Sequence, residues 1–252
     1  MTGFKDHFSI VADAYAQWRP TYPEALFEAI AAVVPASAVV WEPGCGSGQA
    51  TRGLATHFAR VFTTDPSAAQ VGQHWALQEA PGNVEVAVEP GEATSLADGS
   101  VGLVAVAQAL HWFDRGRFFD ECRRVLRPGG VLAAWTYLDV EFPPPVAQAG
   151  LAFWNDIRPY WPAERAEVMN GYADFDWPFP ALPAPALWLT ARWTLPQLLG
   201  YLGSLSAVTR FFAANGQDPV MVHAAAMAAA WGDPQQARPL RWPLVLHLRC
   251  KP

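Results

Sequence analysis

The sequence predicts one α/β domain with a mostly parallel sheet and helices on both faces. Three observations carry that expectation. Short apolar runs alternate with helix-patterned stretches across residues 38–137, as in successive βαβ units. One run, Val101 to Leu110, is apolar but for Gln108, as strands covered on both faces are. The chain has 252 residues, 52% hydrophobic and 16% charged, which suits one domain with a sizeable core rather than a disordered polyelectrolyte.

Each element has its own signal. His7 to Trp18 has helical periodicity, with Phe8, Val11, Ala12, Tyr15 and Trp18 on one face. Arg19-Pro20-Thr21-Tyr22-Pro23 breaks that helix, and Pro23-Glu24 opens a second through Leu26, Phe27, Ile30 and Val33. Ala38 to Trp41 is a short buried strand ending in Glu-Pro-Gly, followed by a helix over 49–59. Val61 to Thr64 is the second strand and ends at Asp65; a helix over 68–78 and a third strand, Val84 to Val88, follow. After the fourth strand, Arg115 to Leu126 is a helix closed by Arg127-Pro128-Gly129-Gly130, and Val131 to Tyr137 is the fifth strand. Prolines and tryptophans then interrupt the alternation over 142–185, which predicts an insertion capping the carboxyl ends of the strands. Ala186 to Trp193 returns as a strand, 195–215 and 220–231 as helices, and Trp242 to Arg249 as a strand paired antiparallel at the sheet edge. The expected organisation is a single domain over 1–252. It comprises N-terminal lid helices over 1–34, a cofactor core over 38–137, a substrate cap over 142–185, and completion of a seven-stranded sheet over 186–252.

Composition removes several classes. The net charge is −6, and no basic face is evident, so nucleic acid is not an expected partner. The densest basic group, Arg115, Arg117, Arg123, Arg124 and Arg127, reads as the solvated face of one helix. Cys45, Cys122 and Cys250 form no Cys-x-x-Cys pair, which argues against a disulfide scaffold or a metal site and suits a reducing cytoplasm. Residues 1–10 lack the apolar region of a signal peptide, and no run has the length of a membrane span.

The chemistry concentrates at strand ends. In Glu42-Pro43-Gly44-Cys45-Gly46-Ser47-Gly48 the glycines permit a tight turn and close backbone approach to a ligand at a helix start. A dinucleotide turn would be spaced Gly-x-Gly-x-x-Gly; here the spacing is Gly-x-Gly-x-Gly behind an acid. A carboxylate there would repel a pyrophosphate and suit an ammonium or sulfonium charge. Asp65 ends the next strand, where an acid accepts from ribose hydroxyls or caps the helix starting near Pro66-Ser67. Glu92, in the loop after strand three, is placed to accept from an adenine amine or to be a solvated loop acid. His111, just past strand four, is a candidate proton acceptor or a side chain that fixes its loop.

Phe4 to Ser9, Tyr15 to Pro23, Glu42 to Gln49, Ala109 to Asp114 and Arg124 to Gly130 together resemble the class I, Rossmann-like methyltransferases of the type 11 group. The branch most similar is that of yeast trans-aconitate methyltransferase and bacterial natural-product enzymes such as toxoflavin N-methyltransferase. The resemblance implies S-adenosylmethionine as cofactor, held by Glu42, Gly44, Cys45, Gly46, Asp65, Pro66, Glu92, Ala93 and Gln108. It implies an N-terminal cover carrying Tyr15, with His111, as catalytic candidates and Arg19 against the cofactor carboxylate. Thr94 and Ala97 depart from the family's Glu and Pro, so the adenine loop's contacts are left open. The expected partner is a small planar acceptor flanked by Trp112, Tyr137, Trp154, Tyr160, Trp161, Tyr172 and Trp177, with transfer to N or O by a monomer or homodimer. A carboxylate acceptor would need an arginine clamp, for which Arg158, Arg192 and Arg210 are the candidates; a non-catalytic cofactor-binding module is the other alternative.

Overall fold

The computed structural model describes residues 19–76 and 81–252. The expected helix His7 to Trp18, and Tyr15 with it, lies outside the described residues.

In chain order the elements are α1 (Glu24–Ala31), β1 (Val39–Pro43), α2 (Thr51–His57), β2 (Arg60–Asp65), α3 (Ala68–Ala76), β3 (Val84–Val88), β4 (Val101–Ala107), α4 (Arg115–Val125) and β5 (Leu126–Tyr137). The chain continues through α5 (Ala147–Ile157), α6 (Arg165–Met169), β6 (Ala181–Leu182), β7 (Leu187–Trp193), α7 (Leu195–Gly203), α8 (Ser206–Asn215), α9 (Pro219–Trp231) and β8 (Arg238–Cys250). Helix starts follow the sequence chemistry. Asp114 accepts from Arg117 N at the head of α4, Asp218 accepts from Val220 N at the head of α9, and Thr194 with Gln197 forms a capping box on α7. Among the described residues no helix is long and apolar enough to cross a membrane.

The sheet runs β3-β2-β1-β4-β5-β8, and β6 and β7 share the far edge of β8. β1 through β5 are mutually parallel, with Val40 opposite Val61 on one side and Leu103 on the other. β8 is antiparallel to β5 and to β7. The reversed strand expected at the edge therefore lies one position in, and the two-residue β6 makes the sheet eight-stranded rather than seven-stranded. Strand pleating sends Val40 to one face and Trp41 to the other. On the first face α1, α2, α5, α7, α8 and α9 bury Leu26, Leu54, Phe153, Leu198 and Trp231. On the second, α4 and the 168–179 segment bury Trp41, Phe118, Cys122, Val168 and Tyr172.

Two further differences from the sequence reading position the site. The single helix expected over 195–215 is broken between α7 and α8, where Ser204 Oγ turns back to donate to Tyr201 O at 2.7 Å. Arg124 is no solvated face residue: it donates to Glu121, Asp98, Leu96 O and Thr94 O, pinning the 94–98 loop to α4. Strand order reverses at β1, with β2 on one side and β4 on the other, so a crevice opens at the carboxyl ends of β1 and β4.

Candidate cofactor and acceptor site

The glycine turn leaves β1 at this crevice. Gly44, Gly46 and Gly48 all hold positive φ (69°, 54° and 81°), a region other residues enter at a cost. A Cβ on Gly44 would sit 2.9 Å from Ala109 Cβ and 3.1 Å from Phe113 Cζ, so glycine lets the turn close on the end of β4. At Gly46 the corresponding space is open, with Gln70 Oε1 the nearest atom at 3.9 Å. Cys45 contributes backbone: its N–H donates to Thr64 O at 3.0 Å. Its thiol is buried, and that burial pushes its pKa well up, so it stays protonated and is no nucleophile.

Glu42 lies fully buried beneath the turn. Its Oε2 accepts from Thr51 Oγ1 at 2.6 Å and Thr63 Oγ1 at 3.2 Å. Its Oε1 is buried with no hydrogen-bond partner among the described residues. Burial, with a smaller push from Asp65, raises this carboxyl to about 8. A buried acceptor left unsatisfied is costly, and a ligand ammonium group would satisfy it.

Asp65, also buried, ties the turn to the end of β2. Its Oδ2 accepts from Gly46 N at 3.0 Å and its Oδ1 from Ser67 N at 2.8 Å. The cap of α3 is Ser67, whose Oγ accepts from Gln70 N, so the capping role considered for Asp65 belongs to its neighbour. A carboxylate at this strand end is of the type that accepts from ribose hydroxyls. Pro66 is half-buried beside it. Glu92 Oε1 accepts from Asp114 N at 2.8 Å and so clamps the adenine-side loop to the head of α4, while Ala93 is exposed. Phe113, absent from the sequence candidates, packs its ring against both Gly44 and Gly91. The signal for it was there: it is an apolar residue in the turn directly after β4.

Past the glycine turn, at the ends of β4 and β5, lies a cavity of about 90 Å³. Gln108, His111, Trp112 and Tyr137 line it from the strand ends, Trp161 and Arg165 from the cap, and Tyr201, Leu205 and Ser206 from the α7–α8 break; Arg19 lines it as well. Gln108 holds φ +53°, and its Oε1 accepts from Thr136 Oγ1 (2.7 Å) and Tyr137 N (2.9 Å). Its carboxamide is thus a brace between β4 and β5. His111 Nδ1 and the Tyr172 hydroxyl are 2.8 Å apart. Burial, reinforced by the Arg165 charge, pushes the imidazole down to about 3, so it is neutral at physiological pH. Burial likewise pushes the Tyr172 phenol up. Arg19 Nη1 donates to Tyr137 Oη at 3.4 Å.

Several expected acceptor residues lie elsewhere. Trp154 is core, packed on Phe142 and Phe153. Tyr160 packs on Phe211 and accepts from Asn215. Trp177 stacks between His247 and Arg249 on the other face. Tyr172 sits behind His111 and does not line the cavity. Arg158 and Arg192 are exposed, and Arg210 is not among the lining residues. The arginine that lines the cavity from the cap is Arg165, which the sequence reading passed over.

Comparison with known proteins places this geometry in a family. Residues 41–134 match the methyltransferase domain family. A Dictyostelium discoideum protein named as a methyltransferase is 30% identical over 222 residues, 86% of this chain and 83% of its own length. A solved structure described as a type II methyltransferase from Anaeromyxobacter dehalogenans is 42% identical with a TM-score of 0.86, covering 92% of this chain and 97% of its own. The 2-methyl-6-phytyl-1,4-hydroquinone methyltransferase of Synechocystis is 28% identical over 183 residues, 64% of this chain and 55% of that protein. This chain therefore belongs to the class I S-adenosylmethionine-dependent methyltransferases. The unsatisfied Glu42 oxygen, the open space at Gly46 and the Asp65 carboxylate at the end of β2 fit that cofactor's ammonium, backbone approach and ribose.

Proposed function

We propose that the protein methylates an N or O atom of a small, planar aromatic or heterocyclic metabolite of natural-product type, in the cytoplasm, as a monomer or homodimer. The observation that carries this reading is a cavity at the carboxyl ends of β4 and β5 faced by Trp112, Tyr137, Trp161 and Tyr201. Aromatic walls give a flat acceptor stacking area and a dry environment. A relative named for a hydroquinone substrate is in keeping with such an acceptor.

S-adenosylmethionine, when bound, supplies a methyl group on a positively charged sulfur. The chain's own residues bind and orient. Glu42 would hold the ammonium end, Asp65 the ribose, the Glu92 loop the adenine, and Arg19 would face the carboxylate. His111 serves as a neutral hydrogen-bonding partner rather than a proton store, because its imidazole takes up a proton only near pH 3.

Calorimetric titration with S-adenosylhomocysteine tests the reading: micromolar binding is expected. Binding of NADH without S-adenosylhomocysteine would overturn it, and tight binding with no transfer to a panel of phenols and heterocyclic amines would favour a non-catalytic module. In an active preparation, kcat/KM is expected to lack an imidazole limb between about pH 5.5 and 7.5, because the His111 folded value lies well below the ordinary 6.5. A limb that disappears in His111→Ala would restore the general-base role.

A further inference from the structure

We infer that the acceptor carries an anionic oxygen group, a carboxylate or its equivalent, and that Arg165 holds it. The inference rests on the methyltransferase reading above and narrows its substrate.

Arg165 enters the cavity wall from α6, with its guanidinium carbon 4.5 Å above the Trp161 ring. One end of the fork, Nη2, donates to Asp139. The Nε donor is buried and has no hydrogen-bond partner among the described residues. A guanidinium stacked on an indole and tethered at one nitrogen is fixed in plane. The Nε–H, beside the tethered Nη2, is left as a donor for an acceptor oxygen.

The surroundings have the same sign. Among the described residues the cavity lining includes Arg165 and Arg19 and no aspartate or glutamate; Asp139, which pairs with Arg165, is not part of the lining. The 10-residue helix α8 begins at this wall with no side-chain cap on Leu205, so its partly positive end adds to the field. Burial disfavours the His111 imidazolium, and the nearby Arg165 charge reinforces it. A neutral carbonyl oxygen could also accept from the Nε donor, but an anionic one forms the shorter, charge-assisted bond and is drawn in by the guanidinium. The group on Arg165 is an anchor rather than the methylated atom, because a clamped carboxylate has its electron density withdrawn into the guanidinium. The methyl goes to a second N or O of the same molecule.

The test uses the full chain saturated with S-adenosylhomocysteine, titrated with 4-hydroxybenzoate and with 4-hydroxybenzamide as its neutral counterpart. The acid is expected to bind at least about tenfold more tightly. Arg165→Gln should erase that preference. Asp139→Asn, which removes the competing carboxylate and retains the arginine, should strengthen acid binding several-fold and keeps the test decisive should the glutamine variant not fold. Equal affinities for acid and amide, an unchanged preference in Arg165→Gln, or no binding of either at millimolar concentration overturns the inference alone. Failure of S-adenosylhomocysteine to bind at the outset overturns the function on which it rests.

Discussion

Glu42→Gln is expected to lose cofactor affinity while gaining thermal stability as the pH rises. In the folded protein the buried carboxyl keeps its proton up to about pH 8, whereas the unfolded chain releases it near 4.5. The folded state thus binds more protons between those values. Wild-type stability therefore falls as pH rises from 4.5 to 8 and levels off above. Glutamine has no such dependence; the cost of its extra buried N–H is the same at every pH. The difference in Tm should move in the variant's favour across that window, by about 5–10 °C for a change of a few kcal/mol in a domain of this size. Cofactor affinity should fall by about 10- to 100-fold, the range for losing a hydrogen bond to a charged group. Thermal melts from pH 4.5 to 9 and calorimetry with S-adenosylhomocysteine read both. A Tm difference that stays flat over the window would mean that the buried carboxyl titrates like an exposed one.

Asp65→Ala is expected to weaken cofactor binding by about 1–3 kcal/mol and to lower Tm as well. Its two oxygens hold the amides of Gly46 and Ser67, so alanine releases the glycine turn from β2 at the same moment that it removes the acceptor proposed for the ribose. Asparagine keeps one acceptor oxygen and should fall between aspartate and alanine in both measurements. A lower Tm with unchanged S-adenosylhomocysteine affinity would make Asp65 a brace for the turn and nothing more.

The cofactor half of the site was legible because its signals are local. β1 and β4 are covered on both faces and read as apolar runs, β2 reads as the β-branched and aromatic run Val61-Phe62-Thr63-Thr64, and the positions of Glu42 and Asp65 follow from where β1 and β2 stop. The acceptor half depends on packing that spacing does not record. Trp154 and Trp161 look alike in a Pro/Trp-rich stretch, yet one is turned into the core on the first face of the sheet and the other toward the cavity. Arg165 sits in Glu164-Arg165-Ala166-Glu167, which reads as a solvated turn of helix. Asp139 and Trp161, brought to it by the fold, make it part of a wall. The neutral state of His111 also comes from surroundings that are remote in sequence. The alternation of β8 announces a strand but carries no mark of whether the strand has one neighbour or two, and so its place inside the sheet was missed.

That place has a consequence for synthesis. β8 follows every other strand in chain order, yet β5 on one side and β6 and β7 on the other pair across it. While residues up to 237 have emerged from a ribosome, the β3-β2-β1-β4-β5 half can assemble, but β5 has a bare edge and β7 has no neighbour. Pairings between segments so distant in sequence form late, and a bare edge is open to pairing with other chains until they do. The nascent protein should therefore pass through a stage with a formed glycine turn and a sheet still open beyond β5.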